Sequence, residues 1–239
     1  MKLAFVGGTG PEGLGLAMRF AHAGHEVAIG SRSTERGEEG AQKVRDAVPG
    51  ATATGGTNAD IVPAADIVFL TFPYSGQEAT LADLGSALAG KIVCNVAAPL
   101  EFQKGIGAVA LSVPGNSAAQ EAAQQLPDSR VVSGFQNLSA EKLQELDHPI
   151  EADVLVCGRD AEAKALVVGL ANEIKGARGI DAGGLLPEPL RRDAYRDAYQ
   201  PQPQVQDGVC HPHRRHRRPR RELGHARAQY LRGPRPAGD

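Results

Sequence analysis

Glycines 8, 10 and 13 lie in GGTGPEG with the spacing G-x-G-x-x-G. Backbone in such a loop can hold a polyanion. One glycine allows the tight turn, one lets the chain approach a phosphate, and one lets a helix pack on a strand. N–H groups at the helix start then face the anion. As a dinucleotide fingerprint the motif must lie between a strand and a helix. Here the apolar run Lys2–Val6 precedes it and a small/apolar helical pattern, Gly13–Ala23, follows. The competing reading is an ordinary strand-to-helix turn. A second strand pattern, His25–Ser31, ends in Gly30-Ser31-Arg32. A chain selective for NAD carries an acidic residue near this point for the ribose 2′-hydroxyl. This chain has Ser31, Arg32, Ser33, Thr34 and, one turn on, Arg36, while Glu35 lies further into the next segment. Guanidiniums and hydroxyls suit a dianionic 2′-phosphate, so the residues predict NADP rather than NAD. The alternative is a solvated strand end with incidental arginines.

These loops need a scaffold, and the rest of the chain supplies the pattern of one. Further strand patterns fall at Asp66–Pro73, Lys91–Val96, Arg130–Phe135 and Ala152–Cys157, with a short one at Ala51–Thr54. Helical patterns alternate with them at Thr34–Ala47, Gln77–Ala89, Ala118–Gln125, Ala140–Leu146 and Ala161–Ile174. Alternation of this kind predicts an α/β fold: a Rossmann-type, doubly wound parallel sheet with a small C-terminal extension. Ligands in such sheets lie beyond the carboxyl ends of the strands. That places site walls at Gly7–Gly13, Ser31–Arg36, Thr71–Tyr74, Asn95–Pro99 and Phe135–Ala140.

Composition excludes several classes. The formal net charge of −2 over 239 residues names no polyanionic partner, so no nucleic acid is expected. Three cysteines, Cys94, Cys157 and Cys210, are not closely paired, and Cys94 and Cys157 sit in apolar strand patterns as small buried hydrophobes. That is the usage of a reducing compartment. Glycines and a proline arrive by residue 11, too soon for a signal-peptide core, and no apolar run approaches the roughly 20 residues of a membrane span. A cytoplasmic protein without membrane association is expected. No metal-binding spacing and no nucleophile–base arrangement stands out, so neither a metal site nor a catalytic side chain is assigned. Such poverty of acids and bases fits hydride transfer between two stacked rings. Ala97 and Ala98 leave room for a second ring, or serve merely as tight packing. Reduction of a small imine or ketone by NADPH is the alternative, but it requires a proton donor that the loops do not offer.

Taken in order, GGTGPEGLGLAMRFAHAGHEVAIGSR, TFPY, FQNLSA, DVLVCGRD and GIDAGGL resemble the NADPH-dependent F420 reductases, over roughly residues 1–185. The resemblance implies a Rossmann domain holding NADP, with the deazaflavin coenzyme F420 stacked on the nicotinamide and hydride passing directly between the rings. It also implies a homodimer. The family's nucleotide loop maps onto Thr9, Gly10, Pro11 and Glu12. Its 2′-phosphate contacts map onto Ser31, Arg32 and Arg36, and its strand-end wall onto Pro73, Tyr74 and Ala98. The loop from Phe135 to Ala140 corresponds to the approach to nicotinamide and F420. Gln136 and Asn137 there can bond a carboxamide or a deazaflavin edge, or serve as loop-capping amides. Some relatives carry histidine at the position of Gln136.

The resemblance stops near Gly184. Residues 186–239 hold 12 arginines, no lysine and 6 acidic residues, a charge of +6 against −8 for the rest, with eight of the 16 prolines. This composition is poorly suited to a packed core and predicts an irregular tail beside a folded unit of residues 1–185, whose small C-terminal portion begins near 140. Read one base later, synonymous codons over this stretch permit an apolar, helix-compatible run like the family's ending. A frame-shift product is therefore expected, which would leave a nucleotide-binding protein with an aberrant, inactivating C-terminus. A basic nucleic-acid-binding arm is the alternative.

Overall fold

The computed structural model describes residues 1–113 and 117–185. The expectations for the tail, 186–239, lie outside the described residues.

An eight-stranded sheet dominates. It contains β1 (Lys2–Val6), β2 (Glu26–Ser31), β3 (Ala53–Thr57), β4 (Ile67–Leu70), β5 (Ile92–Asn95), β8 (Arg130–Ser133), β9 (Ala152–Gly158) and β10 (Ala177–Asp181), in the order β10-β9-β8-β5-β4-β1-β2-β3. A separate antiparallel hairpin pairs β6 (Leu100–Gln103) with β7 (Gly107–Ala110). Helices α1 (Pro11–His22), α2 (Thr34–Ala47), α3 (Asn58–Ile61), α4 (Gln77–Leu88), α5 (Ala118–Gln125), α6 (Ala140–Gln144) and α7 (Ala161–Glu173) join the strands, with a 3-10 turn at Tyr74–Gly76. No helix among the described residues is long and apolar enough to cross a membrane.

Strands buried on both faces explain the near-continuous apolar runs. Leu3 and Phe5 of β1 pack under α1, α2, α6 and α7, while Ala4 and Val6 face the layer of α3, α4 and α5. Ring contacts knit the first layer: Phe5 stacks on Phe69 with centroids 5.0 Å apart, and Phe69 meets Phe135 edge-on at 5.8 Å. Cys94 and Cys157 are buried as expected, and burial pushes the Cys94 thiol pKa up.

Two features differ from the sequence expectation. Six strands, β3-β2-β1-β4-β5-β8, are mutually parallel, but β9 runs antiparallel to β8, and β10 is parallel to β9. A parallel return needs a long crossover, usually a helix. Between β8 and β9 the helix α6 has only 5 residues, about 7 Å of rise, too little to carry the chain back along a strand. The hairpin β6–β7 and strand β10 also carry no apolar pattern. Ile106 at the hairpin turn is 74% exposed, and Ala177–Asp181 has no fully buried residue.

Candidate functional site

β1 pairs with β2 on one side and β4 on the other, so chain order reverses beside it. This is where a doubly wound sheet opens a crevice. The hydroxyl of Thr71 closes the floor by donating to the Val6 carbonyl at 3.0 Å. The backbone N–H of Gly7 donates to Asn58 Oδ1 at 3.0 Å, and that of Gly8 to the carbonyls of Phe5 and Gly30, each at 3.0 Å.

The three motif glycines do different work. A Cβ at Gly8 would meet Phe5 Cβ and its carbonyl oxygen at 2.7 Å, and one at Gly13 would meet Thr71 Oγ1 at 2.6 Å and Gly8 Cα at 2.7 Å. Both are packing glycines. A Cβ at Gly10 would find nothing nearer than the Gly7 carbonyl oxygen at 3.9 Å. Gly10 is also the N-cap of α1, Pro11 follows at the first helical position, and no side chain caps the helix. A ligand can therefore approach the backbone here, and the first-turn N–H groups of α1 have no side-chain acceptor. Thr9 and Glu12 are half-buried beside this opening, while Pro11 is exposed. The residues present thus fit a pyrophosphate.

Ser31 ends β2 and is buried, whereas Arg32 and Arg36 are exposed. The Ser33 hydroxyl caps α2, accepting from the Arg36 N–H at 3.4 Å. Among the described residues, no hydrogen bond or ion pair engages either guanidinium. Arg45, further along α2, is tied to Glu38, Gln42 and the Ala53 carbonyl. Arg45 holds α2 onto β3, and Arg32 and Arg36 remain available for an anion. Glu35 shares their turn; bonding to backbone and to Ser33 holds its carboxyl below the usual range.

Pro73 precedes the 3-10 turn, and the Tyr74 hydroxyl donates to Glu121 Oε2 at 2.7 Å. Burial, then the bond to Glu121, pushes the Tyr74 phenol up to about 12. The bond ties Tyr74 to α5. Beyond β5, Ala98 is half-buried next to buried Ala97. The Gln136 amide donates to the Asn95 carbonyl at 3.0 Å, so it secures the end of β5. Ala140 opens α6, and Gln144 of the same helix donates to the carbonyls of Ala140 at 3.1 Å and Pro11 at 3.3 Å. The structure therefore brings Ala140 and α6 against the glycine loop. All these positions follow the carboxyl ends of parallel strands.

Several residues to which the sequence assigns no individual role hold this arrangement. Asn95 is fully buried; its amide donates to Gln77 Oε1 at 2.7 Å, and its Oδ1 accepts from the Ala97 N–H at 2.9 Å. Gln77 in turn donates to the Ala118 carbonyl at 2.9 Å. A polar residue closing the apolar run IVCN was the available signal. Phe135 has φ +72°, a conformation that a bulky side chain adopts only when its surroundings enforce it. Arg19, within the apolar stripe of α1, is 4% exposed and donates to the carbonyls of Leu143 at 2.9 Å, Leu146 at 3.2 Å, Lys142 at 2.7 Å, Glu145 at 2.6 Å and His148 at 3.1 Å. A shallow concavity of about 540 Å³ lies elsewhere, along β9 and β10. Its Arg178 and Asp153 pair with each other at 2.8 Å.

A mostly parallel sheet, a phosphate-ready glycine loop at the reversal of strand order and two unpaired arginines after β2 define a Rossmann-type dinucleotide oxidoreductase. Residues 2–99 match the family model described as NADP oxidoreductase, coenzyme F420-dependent. F420-dependent NADP reductases of Methanocaldococcus jannaschii and Methanothermobacter marburgensis are each 40% identical over 190 residues, 77% of this chain and 85% of the relative. A solved structure from Arthrobacter sp. FB24, described as an F420-dependent NADP reductase, superposes with TM-score 0.67 and 26% identity, over 83% of this chain and 90% of that one. The chain belongs to the F420-dependent NADP reductase family.

Proposed function

We propose that this protein transfers hydride directly between NADP(H) and coenzyme F420. The observation that carries the reading is the open face at Gly10 above an uncapped helix start, joined at the end of β2 by the unpaired guanidiniums of Arg32 and Arg36. The loop from Gly8 to Gly13 binds the pyrophosphate, with Thr9, Pro11 and Glu12 around it. Ser31, Arg32 and Arg36 bind the 2′-phosphate. Pro73, Tyr74 and Ala98 wall the nicotinamide, and Gln136 and Ala140 line the approach of F420. NADPH would supply the hydride when bound, the side chains bind and orient the two rings, and solvent supplies the one proton that completes reduction of F420.

Mixing the purified full chain with NADPH and F420 tests this: the absorbance band of the oxidised deazaflavin should disappear. Arg32→Asp should weaken NADPH binding by about 10- to 100-fold, the loss of one or two charge-assisted bonds, and leave NADH binding little changed. Equal losses for both cofactors would remove the 2′-phosphate assignment. Cysteine usage and the family also support a cytoplasmic homodimer, which light scattering of the purified chain checks for assembly. We further infer a frame-shift origin for residues 186–239. Resequencing codons 183–215 tests it; NADPH binding without turnover would count against hydride transfer by this chain and favour the alternative, an NADP-binding protein inactivated by its ending.

A further inference from the structure

We infer that Glu12 binds the dinucleotide in its protonated form, so that association of the cofactor takes up one proton at this side chain. The inference rests on the reading of residues 8–13 as the pyrophosphate loop. Glu12 is the second residue of α1, directly after the N-cap Gly10 and Pro11. An acidic residue in a helix first turn ordinarily serves as a favourable partner for the dipole. Here one carboxyl oxygen, Oε1, is buried and has no hydrogen-bond partner among the described residues. A buried acceptor left unpaired costs free energy that a donor or a proton relieves.

The surroundings offer no counter-charge. On α1 itself, Arg19 is committed to the carbonyls of residues 142–148, and His22 lies at the far end of the helix. From β1 and β2, Lys2 and Glu26 pair with each other at the opposite ends of the strands. The charged side chains of α2 (Arg36, Glu39, Lys43) and of α6 (Glu141, Lys142, Glu145) form no bond to Glu12. The Gln144 amide of α6 is spent on the carbonyls of Pro11 and Ala140. Burial alone pushes the Glu12 carboxyl up to about 7. A pyrophosphate at the same helix start adds negative charge beside it and raises the carboxyl further. The neutral acid removes the repulsion and gains an O–H donor toward the anion. Binding is then strongest while Glu12 is protonated in the free protein, and it weakens as pH rises above the free-state value.

Calorimetric titration of the full chain with NADP+ at pH 8, in buffers of different ionisation enthalpy, reads the proton directly. Wild type should take up close to one proton per NADP+ bound, and its Kd should rise about tenfold per pH unit between pH 7.5 and 8.5. At pH 8 the 2′-phosphate is already fully ionised and contributes nothing. Glu12→Gln should bind NADP+ with a Kd flat over this range and take up no proton. Binding by wild type without proton uptake, or equal uptake by E12Q, would overturn the inference while leaving the loop assignment standing. No NADP+ binding by a wild-type chain that melts cooperatively would overturn the loop assignment and this inference together.

Discussion

Gly10 and Gly13 occupy equivalent letters of one motif, yet the structure assigns them opposite consequences when each receives a methyl group. At Gly13 the new Cβ would lie 2.6 Å from Thr71 Oγ1 and 2.7 Å from Gly8 Cα. The first neighbour is held by its bond to the Val6 carbonyl, and the second is backbone. Neither can swing aside, so Gly13→Ala should cost the upper part of the overpacking range, about 3 kcal/mol. For a folded unit of this size that lowers Tm by roughly 6–12 °C. At Gly10 the nearest heavy atom would be 3.9 Å away, and φ is −75°, which alanine adopts freely. The loss of a glycine N-cap and the reduced freedom of the unfolded chain largely offset each other, so Gly10→Ala should change stability by less than about 0.5 kcal/mol. Its methyl would occupy the face a pyrophosphate must reach. Losing one charge-assisted N–H bond there costs about 1.5–3 kcal/mol, a Kd raised about 10- to 100-fold. Thermal melts with and without saturating NADP+ separate the two effects, since the ligand-induced rise in Tm follows RT ln(1 + [L]/Kd). G13A should melt early; G10A should melt normally but lose most of its ligand shift. A G10A variant that binds NADP+ like wild type would refute the close-approach argument, and one that melts as early as G13A would show Gly10 to be a packing glycine.

Three further outcomes follow from single side chains. Arg19→Met should destabilise the chain by about 3–5 kcal/mol, because five carbonyls of 142–148 lose a shared buried donor; a urea midpoint shift worth under 1 kcal/mol would contradict this. Burial pushes the Glu12 carboxyl from the ordinary 4.5 up to about 7, so the folded protein binds more protons than the unfolded chain between these values and loses stability as pH rises through that window. Relative to wild type, E12Q should therefore gain up to about 3 kcal/mol between pH 4.5 and 8 in denaturant melts, and a pH-independent difference would rule this out. Asn95→Leu should cost about 2–4 kcal/mol by orphaning Gln77 Oε1 and the Ala97 N–H; a near-neutral result in chemical denaturation would mean that this network can re-pair.

The first βαβ unit was legible because its signals are local. The apolar run of β1, the glycine loop and the helical patterns of α1 and α2 all lie within a few residues of what they determine. Helix α2 runs over Thr34–Ala47 as the pattern predicts. Strand direction is not local. The run Ala152–Cys157 looks the same whichever way it pairs, and only the brevity of α6 turns it antiparallel to β8. The site divides along the same line. Its loops could be located by the carboxyl-end rule alone, but which arginines remain free could not. Arg32, Arg36 and Arg45 are alike in sequence, and only the approach of β3 to α2 commits Arg45 to Glu38 and Ala53.

Arg19 shows why the remaining part was hidden and why it bears on the site. Its acceptors lie 123–129 residues away along the chain, and nothing near position 19 announces them. A buried guanidinium inside an apolar helix face is tolerated only if its donors are met, and here the carbonyls at the end of α6 and in the loop beyond meet them. The C-terminal end of α6 is consequently held from two points along α1. Gln144 reaches the Pro11 carbonyl at the start of α1, and Arg19 grips the turns that follow. The gap between α1 and α6 is closed by Gly15, where a Cβ would lie 2.5 Å from Leu143 Cβ. A side chain of any size at position 15 would push α6 away from the glycine loop, taking Ala140 with it. One face of α1, through Gly15 and Arg19, therefore sets how closely α6 and the Phe135–Ala140 loop before it approach the glycine loop.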